Sequence, residues 1–229
     1  EGPPSAASTV ITTDDNAVIT VSNLSTAGAK SNNNFGSSAG TKRIYRSNTG
    51  SNTTAFQFVA EVSMATTSYD DTSNNDELSE IIPSTFWIAP PDEDTNVYPD
   101  GPMKGLTAMP NGVMAGFTGK RICFSERFLP YAWPTSYRIT VEDPIVGIAS
   151  IGNGLIVTTE GRPYLVAGTD PASMSALRME TPQACLSKTS IVDLGTVVLY
   201  AGTEGLVAAA GNSVQTITEG LITPDQWQA

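Results

Sequence analysis

The sequence contains no histidine. That removes the commonest general base, the Ser-His-Asp and Cys-His arrangements and most zinc sites. Cysteine is nearly absent too, since only Cys123 and Cys185 are present, each in or beside an apolar strand-like run. They fit no metal spacing and read as small buried core residues, with a disulfide between them as the alternative. Charged residues make up only 15% of the chain, and 12 basic against 23 acidic side chains leave a net charge of −11. No phosphate-neutralising surface is written there, so tight nucleic-acid binding is disfavoured. No apolar run reaches about 18 residues and no basic-then-apolar leader opens the chain, which predicts a soluble protein without a membrane span or an intact signal peptide.

What is present is enough for a core, because 229 residues at 40% hydrophobic content suit one large or two smaller domains. Abundant Ser, Thr, Asn and Gly with little charge favour an all-β class. The clearest organisation lies in residues 105–168, where GLTAMPNGVMAGFTGKRICFS is followed by GIASIGNGLIVTTEGRPYLVA. Gly105, Gly112 and Gly119 recur 42 positions on as Gly147, Gly154 and Gly161. Val113, Ala115 and Phe117, then Leu155, Val157 and Thr159, alternate between them as half-buried strands do. A worn third copy sets Ile191 against Ile148 and Gly205 against Gly161. A period in the forties built of short strands is a propeller-blade period.

Each period divides into four strands, expected at about 105–109, 112–117, 121–125 and 137–141, then 146–151, 154–159, 163–167 and 176–180, then 190–194, 196–201, 205–209 and 213–217. The Asn-Gly pairs at 111–112 and 153–154, with a turn near Gly195, are expected at equivalent hairpins. The excursions SERFLPYAWPTS and GTDPASMSA are expected on one face of the ring. Known propellers have four or more blades, so three read as a fragment of a larger ring, and the ending ITEGLITPDQWQA reads as a cut.

Ahead of the repeats, strand candidates stand at STVITT, NAVITVSNL (16–24), TKRIYRS, AFQFVAEV and TTSYDDT, with a polar loop at 25–40 and a turn at 48–52. Residues 1–100 hold 4 basic and 13 acidic residues, against 8 and 10 beyond, which marks a boundary near residue 100. Pro83, Pro90, Pro91, Pro99 and Pro102 with Asp92, Glu93 and Asp94 read as a connector, docked by Phe86 and Trp87. The expected domains are therefore 1–82, an 83–103 Pro-rich acidic connector, and 104–229. Asp70, Asp71, Asp76, Glu77 and Glu80 lack regular calcium-ligand spacing and read as a solvated acidic loop.

The strand order of residues 3–72 resembles a fibronectin type III or related immunoglobulin-like sandwich, although the last two strands of such a sandwich do not follow Asp71. A second resemblance is carried by FSERFLPYAWPTSYRITVEDPIVGI, GRPYLVAGTDPASMS, PQACLSKTSIVDLG and EGLITPDQWQ, in this order from about Gly105 to Gln228. These phrases are similar to the tail tube or nozzle proteins of short-tailed bacteriophages. The resemblance implies a structural virion protein, a ring-forming homo-oligomer through which the genome passes during ejection. Its implied partners are other tail proteins, copies of itself and duplex DNA that passes without tight binding. It implies no catalytic residue, no cofactor and no metal.

The residues themselves also argue against an enzyme. Propeller glycosidases use Asp, Glu, Arg and Tyr, and Arg127, Tyr131, Tyr137, Arg138 and Glu142 lie close in sequence. The blander expectation is a Glu126–Arg127 ion pair, with Phe128, Tyr131 and Trp133 packed between blades. The alternative function is a carbohydrate- or receptor-binding propeller module of a virion or secreted protein, with Phe128 to Trp133 as its aromatic platform.

Overall fold

The computed structural model describes residues 4–11, 13–14, 17–26, 40–47, 55–85, 88–152 and 154–228. The chain forms two compact units, Gly2–Thr85 and Phe86–Ala229. Most of the polar loop expected at 25–40, all of the turn at 48–52, Phe86, Trp87 and Asn153 lie outside the described residues.

In the first unit, β1 (Ile19–Val21) pairs antiparallel with β4 (Tyr69–Asp71), and β2 (Thr41–Ser47) pairs with β3 (Phe56–Ser63). The described residues of STVITT form no strand; Val10 and Ile11 are 84% and 62% exposed. Without a neighbour to accept its hydrogen bonds, an extended run gains nothing from strand geometry. Among the described residues of this unit no apolar side chain is fully buried, and the one buried side chain is that of Asp71. Arg46 on β2 meets it at 3.0 Å, with the two side chains 19% and 3% exposed. Asp71 also accepts from the Ser73 N–H at 2.9 Å, and Arg46 donates to the Ser73 carbonyl at 3.0 Å. The acidic group is thus not simply a solvated loop, because its second member is the buried end of an ion pair that ties β4 to β2.

The second unit consists of three four-stranded antiparallel sheets, each a simple meander in chain order. The first holds β5 (Lys104–Ala108), β6 (Met114–Thr118), β7 (Arg121–Phe124) and β8 (Ile139–Thr140). The second holds β9 (Ile145–Ile151), β10 (Gly154–Thr159), β11 (Tyr164–Ala167) and β12 (Ser175–Arg178). The third holds β13 (Val192–Asp193), β14 (Val198–Ala201), β15 (Leu206–Ala210) and β16 (Ser213–Thr216), and a short helix α1 (Pro224–Gln228) follows. Within 104–217 the described residues contain only three-residue 3-10 turns besides strands. Three blade-like sheets therefore follow the period read from the sequence.

Two apolar layers join the sheets. In the first, Ala115, Phe117, Ile122 and Phe124 meet Leu155, Val157, Tyr164 and Val166. In the second, Ala149, Ile151 and Ile156 meet Val198, Tyr200, Val207 and Ala209. Side chains alternate along β10, so Leu155 and Val157 serve one layer while Ile156 serves the other. All six residues of β10 are buried.

The hairpins are less uniform than the glycine pattern. Gly112 has φ +80° and closes its turn by donating to the Met109 carbonyl at 3.1 Å, a conformation open to glycine at little cost. Gly154, by contrast, pairs with Ile151 inside the ladder, so it is a strand residue and not the counterpart of the Gly112 turn. Gly161 keeps an ordinary φ, because the Thr159 hydroxyl accepts from its N–H at 3.1 Å and donates to the Arg162 carbonyl at 2.7 Å. The Asp143 carboxylate lies against it, so a side chain there would require that carboxylate to move.

The ion pair of the first unit generates a clear expectation. Asp71→Asn or Arg46→Ala leaves a buried partner uncompensated and should cost about 3–5 kcal/mol in urea unfolding followed in residues 2–85. Arg43→Ala, whose Glu61 partner at 3.1 Å is 43% exposed, should cost under about 1 kcal/mol.

Candidate interaction surfaces

Meander topology puts the hairpins between first and second strands at one end of the sheets and the turns between second and third strands at the other. The long excursions join the hairpin end: Phe128 donates its N–H to the Gly112 carbonyl at 2.8 Å, and Asn111 Nδ2 donates to the Thr169 carbonyl at 3.3 Å. Both excursions therefore share one face.

In the first excursion Trp133 is not a surface platform. It is 2% exposed, and its indole N–H donates to the Pro130 carbonyl at 3.0 Å. Phe128 takes the opposite position, 74% exposed and with φ +60°. A bulky side chain in the left-handed region is strained backbone. Its ring lies over Gly112, where a Cβ would come within 2.3 Å of it. Arg127 packs its guanidinium 5.6 Å from that ring and donates to the Asn111 carbonyl at 2.7 Å. The expected partner Glu126 instead joins the loop's own ladder, opposite Leu129.

The glycosidase-like set does not gather around Glu142. Arg127 sits at the hairpin end, whereas the Glu142 carboxylate pairs with Arg178 and its carbonyl accepts from Lys120 Nζ at 2.7 Å, at the turn end. Arg138 lies 5.5 Å from the Tyr98 ring centre, half-buried. Tyr137 is raised above its ordinary range by partial burial and by Glu126 and Asp170, so it is no stronger an acid than a free tyrosine. Among the described residues no group of three or more carboxylates or thiols is arranged to hold a metal ion.

The connector covers the outer face of the first sheet. Thr118 Oγ1 is within 2.9 Å of the Asp100 carbonyl and 2.8 Å of that of Gly101, Arg121 meets Asp100 at 3.3 Å, and the Met103 thioether lies against Gly116. Cys123 is sealed beneath it, 1% exposed, and Cys185 is likewise a buried free thiol. The disulfide alternative is therefore excluded in this structure. Burial pushes the Cys123 thiol up to about 11, although Arg138 and Arg121 pull the other way.

An apolar groove of about 300 Å³ runs along the rim of the second and third sheets, lined by Ile151, Gly154, Leu165, Ala167, Thr169 and Gly211. No titratable side chain lines it. The cations Lys104, Lys120, Arg121 and Arg162 share the turn end, but acids and carbonyls engage three of them: Lys120 at the Glu142 carbonyl, Arg121 at Asp100, and Arg162 at the Glu180 carbonyl.

The fold defines the class: all-β, three stacked four-stranded meanders that make a partial β-propeller, preceded by small sheets. No family model matches the chain, and no curated protein sequence does. Among solved structures it is similar to the crystal structure of the N-terminal domain of Nup159, at 10% identity and a TM-score of 0.37, over 56% of this chain and 35% of that one. It is also similar to a structure of an S. cerevisiae Dbp5 variant bound to Nup159, a Gle1 variant, IP6 and ADP, at 12% identity and a TM-score of 0.37, over 61% of this chain and 37% of that one. The chain spans little more than a third of the length of these structures, and such a likeness carries no argument about function.

Sequence reasoning grouped Phe128 with Trp133 in both of its readings and did not separate the exposed ring from the buried one, because no composition or period signals a left-handed phenylalanine. The covering role of the connector had a faint signal in its Tyr98 and Met103, apolar residues amid prolines and acids.

The Cys123 shift has a direct consequence for stability. Its folded value is raised, so the stabilisation is complete below the unfolded value of 9.0 and is lost as pH rises toward about 11. Tyr200, raised in the same direction by burial and donating to the Gln183 carbonyl at 2.9 Å, adds to the loss above pH 10. Unfolding midpoints should fall through pH 9–11, the fall between 9 and 10 should flatten in Cys123→Ala, and a thiol reagent should modify Cys123 only after unfolding.

Proposed function

We propose that this chain is a structural subunit of a bacteriophage virion, a tail tube or nozzle component that forms part of the channel for genome delivery. The observation that carries the reading is the ordered run of phrases from about Gly105 to Gln228 that resembles those proteins. The first three phrases lie on the three sheets and their connections, and EGLITPDQWQ follows the third sheet and includes α1. Two features of the molecule support it. Arg127 and Glu142 of the candidate catalytic set lie at opposite ends of the first sheet, and the cations at the turn end are largely engaged within the protein. Antibodies raised against residues 104–229 should label the tails of intact particles of the phage that encodes the chain. Absence of the chain from purified particles would overturn the reading.

A conduit for duplex DNA works best with a wall that does not hold its cargo. The chain should therefore show no measurable duplex binding at physiological salt, where the Debye length is roughly 8 Å. A mobility shift at micromolar protein that fades with added salt, and vanishes on Lys120→Glu with Arg121→Glu, would contradict this.

Phe128 favours a second reading, a receptor- or carbohydrate-binding module, because strain is spent on displaying one aromatic ring. Trp133→Ala cannot test it, as Trp133 is core. Glycan-array binding that is lost in Phe128→Ala with folding intact would support that module over the channel subunit.

A further inference from the structure

At the hairpin end the two apolar layers are finished differently. Side chains from its own connections close the rim of the first layer: Met109 and Met174 are both buried in it, and Met174, at the end of the excursion after β11, lies against Gly168. The third sheet has no such excursion, because a short turn at Gly211 and Asn212 joins β15 directly to β16. The rim of the second layer is left as the apolar groove of about 300 Å³ between Ile151, Leu165, Ala167 and Gly211. An apolar cavity of about 150 Å³ takes up a benzene ring, so this groove has room for one aromatic side chain.

The same end carries an aromatic ring that the chain does not bury. Phe128, 74% exposed, is the one exposed aromatic among the described residues. It is held at φ +60° with Gly112 beneath the ring and the Arg127 guanidinium beside it, so its direction is set before any further contact is made. The burial it gains within the chain is too small to offset that strain. Ring and groove are neighbours: the Asn111 carbonyl accepts from Arg127, and Asn111 Nδ2 donates to the carbonyl of Thr169, a residue of the groove wall. Yet Phe128 does not line the groove of its own chain.

The geometry points to a second copy of this chain as the occupant. Two copies meet hairpin end to hairpin end, and each inserts Phe128 into the other's groove between the second and third sheets. Because ring and groove lie side by side on one face, a two-fold axis satisfies both contacts at once, as an isologous interface requires. Charge fits the same arrangement. Arg127 flanks the ring, and the exposed Asp170 follows Thr169 at the groove, so the exchange brings Arg127 of each copy toward Asp170 of the other. The inference rests on this face and not on the virion role, so it survives if the chain is absent from phage particles.

Sedimentation equilibrium of the full chain across the micromolar range should show reversible self-association whose first step is a dimer. Phe128→Ala should weaken that step about thirtyfold or more, the loss of an anchor side chain at the centre of an interface. Ala167→Glu, which places a charge in the groove from an exposed position, should do the same. Phe128→Gly adopts the left-handed φ at little cost, so it should lose the dimer while keeping the thermal midpoint of the monomer. Arg127→Glu and Asp170→Lys should each weaken self-association, and an equimolar mixture of the two should form a heterodimer tighter than either homodimer, because both contacts then pair opposite charges. A chain that stays monomeric across that range overturns the proposal, as does a dimer indifferent to Phe128→Gly and Ala167→Glu, or a mixture no tighter than its parts. Glycan binding by the monomer that is lost in Phe128→Gly would overturn it as well and give the ring to the carbohydrate-binding reading.

Discussion

Strand β10 sets the condition that the larger unit has to meet. Its six residues are buried on both faces, so the sheet that contains it must have an apolar layer on each side. At roughly 25 cal/mol per Å² of apolar surface removed from water, neither layer is dispensable. The first sheet supplies one and the third supplies the other. Blade stacking is the outcome of one strand that cannot face water on either side. Backbone ladders fix each sheet internally, while the two apolar layers, to which Leu155 and Val157 on one face and Ile156 on the other belong, join the sheets in order.

The smaller unit has no comparable layer among its described residues. Its β2 and β3 are 7 and 8 residues long, yet no described apolar side chain is fully buried, and the one buried side chain, Asp71, belongs to a charge pair. A buried pair of this kind contributes little net stability compared with apolar residues of the same volume, yet it is costly to break. It specifies which strands meet. The first unit therefore depends on one polar contact, while the second depends on two continuous apolar layers.

Much of the blade pattern was legible because β-strand alternation and turn glycines are local. All twelve strands of the three sheets overlap the expected segments. The repeat was legible in a misleading register, however. Val113, Ala115 and Phe117 were matched with Leu155 and Val157 as equivalents, and the structure shows them as the two sides of a single layer. A shift of one residue turns every side chain to the other face, so a spacing counted between glycines does not fix which face a residue occupies. The surfaces were less legible still. Trp133 and Phe128 are both aromatics in one loop, and their opposite fates depend on the Pro130 carbonyl, the Gly112 surface and one left-handed φ angle. Asp71 reads like its acidic neighbours until Arg46, 25 positions earlier, reaches it.

Electrostatics at the turn end depend on both near and far terms. Close in, Lys120, Arg121 and Arg162 each give one donor to an acceptor of the protein, the Glu142 carbonyl, the Asp100 carboxylate and the Glu180 carbonyl. Of the three, Arg121 has a carboxylate at 3.3 Å that offsets its charge at short range, whereas a carbonyl acceptor leaves a cation's charge in place. Further out, the net charge of −11 governs the field beyond a Debye length and repels a polyanion. The proposal that a duplex passes without being held therefore rests on that repulsion and on the carboxylate beside Arg121.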